Sequence, residues 1–304
     1  MHPSGVMPLW DETAAGAREQ TLRSMHKTDS AGAEQEAPCT TWAGIDAIRR
    51  TAVYVIRMYG GVGGKELRGS PLSRLAERTM KVDAEKSIAG RPFFCSWSGG
   101  KDSCLALYHA IQNGGNPHSL LTILSEDDVT SRSHALPKPL IEEQARSLGL
   151  KPVFRSASWE QYEVEFISAL HEFKKAGIKT GVFGDIDVES HREWVRRVCG
   201  IAGITPIHPL WQRDRRELLE EFIGLGFKAQ IVVINEQKLD KKFLGKTIQA
   251  QTITEMEEAG IDPSGELGEY HTVVTDGPMF SSKVEIKTAG QEHHEGYWFL
   301  KVDL

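Results

Sequence analysis

The chain has 304 residues, of which 40% are hydrophobic and 26% charged, which is enough apolar sequence for one large or two modest domains with packed cores. The formal net charge of −6 creates no positive field that would attract nucleic acid or an anionic membrane, so neither partner is expected. No apolar run approaches the roughly 20 residues of a membrane-spanning helix. Four cysteines without a C-x-x-C pair, and no secretory-type N-terminus, predict a reduced, cytoplasmic protein.

Residues 1–89 differ in composition from the rest of the chain. They are rich in small and charged residues, and sustained apolar periodicity is confined to a short patch at residues 48–58. A segment with so little to bury is predicted to be a poorly ordered N-terminal extension. Because Met80 precedes the approach to the first predicted strand, residues 1–79 are interpreted either as such an extension or as the product of a misplaced start codon.

From residue 90 onward, short apolar runs alternate with helical patterns. The sequence predicts strands at residues 93–97, 118–125, 152–155 and 180–184, and helices at residues 102–113, 139–148, 162–176 and 190–200. Such alternation is typical of an α/β fold in which helices cover both faces of a doubly wound parallel sheet. We assign this Rossmann-like nucleotide-binding domain to residues 90–210.

The remaining sequence, residues 211–304, predicts a second, smaller α+β domain. Helices are expected at residues 216–225 and 248–258, and strands at residues 230–235, 270–275, 283–287 and 297–302. The polar pair His293-His294 is interpreted as a solvated turn, and His208 as a residue of the domain junction.

A glycine-rich turn joins the first predicted strand to the first helix. It reads Ser98-Gly99-Gly100-Lys101-Asp102-Ser103 and is called the phosphate loop below. A strand that turns through two glycines into a helix directs backbone N–H groups and the positive end of the helix dipole to one point, which suits a phosphate chain. Lys101 adds a positive charge. We therefore predict that these six residues bind ATP, although short Ser/Gly turns between strand and helix also occur without a ligand.

Carboxylates follow another strand of the same predicted sheet. In doubly wound sheets, ligands bind at the carboxyl ends of the strands, and Asp185 and Asp187 come directly after the strand at residues 180–184. Asp102 and Asp185 are therefore candidate ligands for Mg²⁺ beside the phosphates, and Asp185 is a candidate for orienting a nucleophile. The alternative is that these aspartates only cap helices.

A second dense cluster of reactive groups lies at residues 265–272. Two glycines flank Glu266 and Glu269, and a phenol, an imidazole and a hydroxyl follow at Tyr270, His271 and Thr272. General acid–base chemistry, or the binding of an amine or ammonium, requires such groups close together and partly desolvated. A charged hairpin turn is the alternative.

The phosphate loop is not a Walker A motif, which requires G-x-x-x-x-G-K-[ST]. It resembles instead the pyrophosphate loop of N-type ATP pyrophosphatases, which cleave ATP between its α- and β-phosphates and transfer AMP to an acceptor oxygen. Over residues 92–285 the chain resembles the diphthine–ammonia ligase (diphthamide synthase, ATP-binding) family. The matching segments are residues 98–103, 131–134 with Gln144-Ala145, 184–186, 209–211 and 265–272 running into 276–280.

The resemblance implies a ligase that adenylates a carboxylate, releases pyrophosphate and lets ammonia displace AMP. In the family, the carboxylate belongs to diphthine, a modified histidine of a translation elongation factor. The motif match implies cofactor-binding residues Ser98, Gly99, Gly100, Lys101, Asp102 and Ser103, catalytic residues Lys101, Asp185, Glu266 and Glu269, and substrate residues His134, Gly268, Tyr270, His271 and Thr272.

One position departs from the family pattern. Archaeal and eukaryotic ligases tend to carry a third carboxylate where this chain has His271, so the sequence looks like the bacterial branch, and bacteria lack diphthamide. The ATP step is therefore expected to be retained, with the acceptor left open. Two other functions remain as alternatives: a tRNA-modifying ATP pyrophosphatase, which the acidic charge balance disfavours, and a non-catalytic adenine-nucleotide sensor.

Overall fold

The computed structural model describes residues 88–304. Of the predicted N-terminal extension, residues 1–87 therefore lie outside the described residues. The described part begins with Ile88, which is 1% exposed and packs into the core.

The first sheet has five strands, and they are all parallel. Their order is β3-β2-β1-β4-β5, which confirms the predicted doubly wound α/β fold. The strands are β1 (Pro92–Ser96), β2 (Asn116–Leu124), β3 (Lys151–Ser156), β4 (Thr180–Val182) and β5 (Thr205–Ile207), and the helices between them are α1 (Lys101–Gln112), α2 (Lys138–Ser147), α3 (Tyr162–Lys175) and α4 (Glu189–Ala202). Strand β5 was not predicted, because it contains a proline and only Ile207 of its three residues is buried, so it shows no apolar run.

Apolar side chains fill both faces of this sheet. Along β1, Phe93 and Cys95 belong to one buried cluster and Phe94 belongs to another, because successive side chains of a strand point to opposite faces. On its face, Phe94 stacks on Phe173 of α3 with ring centroids 4.4 Å apart. A strand buried on both sides explains the continuous apolar run that the sequence shows here.

The second sheet has four antiparallel strands in the order β7-β6-β9-β8, which confirms a smaller α+β unit. Its elements are α5 (Arg215–Gly224), β6 (Lys228–Asn235), a 3₁₀ helix (Lys241–Phe243), α6 (Ala250–Glu258), β7 (Tyr270–Asp276), β8 (Lys287–His294) and β9 (Tyr297–Asp303). We propose the bounds 90–210 and 211–304 for the two domains. Within residues 88–304, no helix is both long enough and apolar enough to cross a bilayer.

The prediction of a strand at residues 283–287 is wrong. The strand present is β8, which begins at Lys287 and contains His293 and His294, so these histidines do not form a turn. Every residue of β8 is exposed, and it lies at the edge of its sheet. An edge strand with no buried face shows no apolar alternation, and therefore the sequence pattern missed it.

The strand order reverses between β1 and β4, and this reversal creates the crevice in which doubly wound folds bind ligands. The loops that follow these two strands are in close contact. A Cβ atom added to Gly184 would lie 2.9 Å from the Asp102 carbonyl carbon and 2.9 Å from the Ser103 nitrogen. Glycine at this position therefore lets the loop after β4 approach the beginning of α1.

Candidate active site

The phosphate loop is a tight turn closed by its own serines. The hydroxyl oxygens of Ser98 and Ser103 are 3.1 Å apart, and the Gly100 N–H donates to Ser98 Oγ at 3.3 Å. The Ser103 hydroxyl donates to the Gly100 carbonyl at 3.1 Å. Gly99 has a φ of +82°, in the left-handed region that favours glycine.

Both glycines are also required by close packing. A Cβ atom on Gly99 would lie 2.6 Å from Leu136 Cδ1, and one on Gly100 would lie 2.3 Å from His134 Cε1. The segment before α2 therefore covers one side of the phosphate loop. His134, predicted as a substrate residue, lies directly against this loop.

Lys101 holds a buried positive charge at the first residue of α1. Its Nζ atom lies 2.9 Å and 2.8 Å from the two carboxylate oxygens of Asp102, and 5.7 Å from the centroid of the Tyr270 ring. Burial alone would lower the pKa of Lys101, but the negative charge of Asp102, with smaller contributions from Tyr270 and Glu266, raises it above its usual value. Lys101 is therefore charged at neutral pH and close to the helix N-terminus.

Strand β7 of the second sheet lies along the phosphate loop. The Lys101 N–H donates to Thr272 Oγ1 at 3.1 Å, and the Val274 N–H donates to the Gly99 carbonyl at 2.9 Å. His134 Nδ1 lies 2.7 Å from the Thr272 carbonyl, which can only accept, so this nitrogen carries the hydrogen. Since β7 is an edge strand, these bonds satisfy backbone groups that its own sheet leaves unpaired.

An arginine connects the loop after β4 to the acidic loop, defined here as residues 262–269. Arg215 donates from Nε and Nη2 to the two oxygens of Asp187, both at 2.7 Å, and from Nη1 to Asp262. Asp262 in turn accepts bonds of 2.9 Å from the N–H and the hydroxyl of Ser264. The acidic loop is therefore fixed to the first domain through one guanidinium group.

Glu266 carries the most perturbed carboxyl group near the phosphate loop. Burial, followed by the negative charges of Asp102, Asp185 and Asp187, raises the pKa of Glu266 from 4.5 to about 8, while Lys101 acts in the opposite direction. Its carboxyl therefore gains and loses a proton near neutral pH, as a general acid or base must.

Two neutral imidazoles lie close to each other beside the phosphate loop. The rings of His134 and His271 have centroids 4.7 Å apart. Burial lowers the pKa of His134 to about 4, and burial together with His134 and Lys101 lowers the pKa of His271 well below its usual value. Neither ring adds positive charge at neutral pH.

The structure does not bring every predicted residue to the phosphate loop. The Glu269 carboxylate accepts the Leu267 N–H at 3.0 Å, so it stabilises the turn of the acidic loop itself. Gly268 adopts a φ of +79° in that turn, and the closest atom to a Cβ placed there would be Lys238 Nζ at 4.0 Å. Tyr270 both faces Lys101 and fixes the acidic loop, because its hydroxyl donates to the Pro263 carbonyl at 2.5 Å.

Asp185 lies between two histidines. Its carboxylate oxygens are 3.6 Å from His191 Nδ1 and 3.5 Å from His208 Nε2. Burial lowers the pKa of His208 to about 4, so this imidazole is neutral. The reading of His208 as only a junction residue missed this contact. His208 directly follows β5. Had β5 been predicted, the rule that ligands bind at the ends of strands would have identified His208 as a candidate site residue.

Two further residues were not identified as site residues from the sequence. Gln144 is completely buried and bonds to the Gly99 carbonyl at 3.0 Å. Its sequence signals are the family match at Gln144-Ala145 and an amide among the apolar residues of the α2 face, but no role was predicted for it. Arg215 is the first residue of α5, where the helix dipole disfavours a cation, and this unusual position is a signal of an ion pair.

No group of three or more histidine, cysteine, aspartate or glutamate residues within 88–304 could hold a metal ion by itself. The Mg²⁺ ligands Asp102 and Asp185 therefore stay a prediction, which rests on the common use by Mg²⁺ of one or two carboxylates together with substrate phosphates. Burial raises the pKa of Glu266 most, and the negative charges of Asp102 and Asp185 raise it further, so a cation bound near these aspartates would lower it.

Two family models and several curated proteins are similar to this chain over most of the described residues. Residues 93–206 match the family model described as the diphthamide synthase N-terminal domain, and residues 214–303 match that of the diphthamide synthase C-terminal domain. Among curated proteins, the diphthine–ammonia ligases of Rattus norvegicus and Mus musculus are each 27% identical to this chain over 232 residues. That of Homo sapiens is 27% identical over 233 residues. Each alignment covers 67% of this chain and 86% of the relative.

Proposed function

Because the chain belongs to the diphthamide synthase family, we propose that it is an ATP-dependent ligase that joins ammonia to a substrate carboxylate through an acyl-adenylate. The observation that carries this proposal is the proximity of two features. The buried Lys101 ammonium lies at the head of α1, and the acidic loop with Glu266 lies beside it.

In the first step, an oxygen of the substrate carboxylate attacks the α-phosphorus of ATP. The bond from this phosphorus to the bridging oxygen breaks, and pyrophosphate leaves with the negative charge. The Lys101 ammonium group and the positive end of the α1 dipole would neutralise that charge. Gly99 and Gly100 let Leu136 and His134 pack directly against the turn, which holds the turn in this shape.

In the second step, the ammonia nitrogen attacks the acyl carbon, the carbon–oxygen bond to AMP breaks, and one proton is released. Glu266 accepts this proton, since its carboxyl has a pKa of about 8 and lies among carboxylates that also attract ammonium. Mg²⁺ bound at Asp102 and Asp185 would supply further positive charge to the phosphates.

For the acceptor, we propose a diphthine-type carboxylate, because the curated relatives are named for diphthine. This acceptor is a modified histidine presented by a protein, so ATP, ammonia and that protein are the proposed partners, and a reducing cytoplasm is the proposed location. The alternative of a non-catalytic nucleotide sensor is disfavoured, because nucleotide binding alone does not require a proton-accepting carboxyl beside the phosphate loop.

The test is carboxylate-dependent exchange of labelled pyrophosphate into ATP, with a diphthine-bearing elongation factor and a panel of metabolite carboxylates as acceptors. Replacing Lys101 with alanine is expected to lower the exchange rate about 10²-fold or more, since it removes the charge that meets the leaving pyrophosphate. The control is Lys283→Ala, which removes a lysine that is also paired with a nearby carboxylate, but on the exposed surface. Unchanged exchange in Lys101→Ala would remove the phosphate loop from the mechanism, and a requirement for RNA would favour the tRNA-modifying alternative.

A further inference from the structure

The buried side chain of Gln144, on α2, is hydrogen-bonded to both the phosphate loop and strand β7. Its Nε2 donates to the Gly99 carbonyl at 3.0 Å and to the Val274 carbonyl at 2.7 Å. Its Oε1 accepts the indole N–H of Trp97 at 3.0 Å. The side chain is 0% exposed, so no water competes for these bonds.

Only an amide can make this set of bonds. The Gln144 side chain has two N–H donors and one carbonyl acceptor. Its partners are two backbone carbonyls, which accept, and one indole N–H, which donates, so both donors of the amide are used. A glutamate would place oxygen against two carbonyl oxygens, and a methionine would leave both carbonyls without this donor. The packing is also close, because a Cβ atom on Gly99 would lie 2.9 Å from Gln144 Oε1.

The two carbonyls belong to segments with different tasks in the proposed reaction. Gly99 lies two residues before Lys101, within the turn that would hold the phosphates. Val274 lies on β7, which is continuous with the acidic loop that carries Glu266. The direct bond from the Val274 N–H to the Gly99 carbonyl lies next to the amide bridge, and the bond from the Lys101 N–H to Thr272 Oγ1 joins the same two segments further along β7.

A second link on the same helix provides a comparison. Ser147, three residues after Gln144, also fastens α2 to the second domain. Its hydroxyl accepts the Ser282 N–H at 3.1 Å, and its carbonyl accepts the Ser281 N–H and hydroxyl, each at 2.8 Å. This link has a similar number of hydrogen bonds but involves no atom of the phosphate loop.

We propose that Gln144 is a positioning residue that couples the phosphate loop to β7, so that nucleotide in the loop fixes the acidic loop in place. An amide bonded at three points in a dry interior moves only together with its partners, and such buried networks act as a unit. Occupancy of the phosphate loop therefore restricts β7 and the turn that precedes it, and by linkage an ordered acidic loop strengthens nucleotide binding. This inference rests on the proposed function, because it requires ATP in the phosphate loop.

Hydrogen exchange of the full chain with α,β-methylene-ATP and Mg²⁺ tests the coupling, since this analogue is not cleaved between its α- and β-phosphates. In the unmodified protein, the analogue is expected to slow exchange in residues 98–104 and also in residues 264–274. In Gln144→Met, the protection of residues 98–104 remains, while that of residues 264–274 falls roughly 10-fold or more. Ser147→Ala retains both effects.

Kinetics supply the second readout. Gln144→Met is expected to lower kcat for pyrophosphate formation by about 10- to 100-fold while KM for ATP changes little, because the loop still binds but the acidic loop is misplaced. An equal loss in Ser147→Ala would mean that Gln144 is only structural and would overturn the proposal. Protection confined to residues 98–104 in the unmodified protein would also overturn it, whether or not the variants fold. Absence of protection in both segments would instead refute ATP binding, and with it the proposed function.

Discussion

Glu266 gives the protein a dependence of stability on pH that can be worked out from the structure. Burial and the charges of Asp102, Asp185 and Asp187 raise the pKa of its carboxyl from 4.5 to about 8 in the folded state. An acid with a higher pKa in the folded state binds its proton more tightly there, so loss of the proton favours unfolding. This contribution to stability is therefore complete below pH 4.5, falls as the pH rises, and is lost once the pH exceeds about 8.

The size of the effect follows from the two pKa values. With a pKa of 4.5 in the unfolded state and about 8 in the folded state, the unmodified protein is expected to lose about 2 to 3 kcal/mol of its free energy of unfolding between pH 6 and pH 9. Glu266→Gln keeps the shape of the protonated carboxyl but cannot ionise, so it lacks this loss. The variant is expected to be about 2 kcal/mol more stable than the unmodified protein at pH 6, and this gap is expected to widen by about a further 2 to 3 kcal/mol at pH 9.

Urea unfolding of both proteins at pH 6 and pH 9 measures this difference. The matched control is Glu258→Gln, which alters an exposed glutamate at the last residue of α6 and is expected to follow the unmodified protein at both pH values. If the unfolding free energies of Glu266→Gln and the unmodified protein decline in parallel from pH 6 to pH 9, the carboxyl is not ionising among like charges. The role of Glu266 as proton acceptor would then lose its physical basis.

Two further substitutions test how the site is built. Gly100→Ala places a Cβ atom 2.3 Å from His134 Cε1, so it is expected to lower the free energy of unfolding by about 1 to 3 kcal/mol and to weaken binding of α,β-methylene-ATP. Urea unfolding and calorimetric titration measure these effects, and unchanged values for both would contradict the close packing. Arg215→Met removes the cation shared by Asp187 and Asp262, so the pH at which the stability of the protein falls should move upward, because Glu266 would then ionise against less compensated negative charge. An unchanged stability profile from pH 6 to pH 10 would show that the arginine does not control the acidic loop.

The sequence by itself determined the features that depend on neighbouring residues. Apolar runs alternating with helical patterns predicted the parallel sheet, and the turn Ser98–Ser103 predicted a phosphate site, because backbone geometry at a strand–turn–helix junction is local. The rule that ligands bind at the carboxyl ends of the strands also predicted Asp185 to lie near this turn, since the topology of a doubly wound sheet determines which loops meet. Strands β5 and β8 were not predicted, because β5 has a single buried residue and β8 has no buried face.

Only the tertiary structure decided which distant groups share an environment. The pKa of Glu266 depends on carboxylates of the first domain that lie far away in sequence, and the neutrality of His134 depends on burial against β7. The bridge made by Gln144 depends on the packing of α2 against the free edge of another sheet. Electrostatic interactions and hydrogen bonds act through space, so a linear pattern identifies the reactive side chains but not the contacts that set their protonation and position.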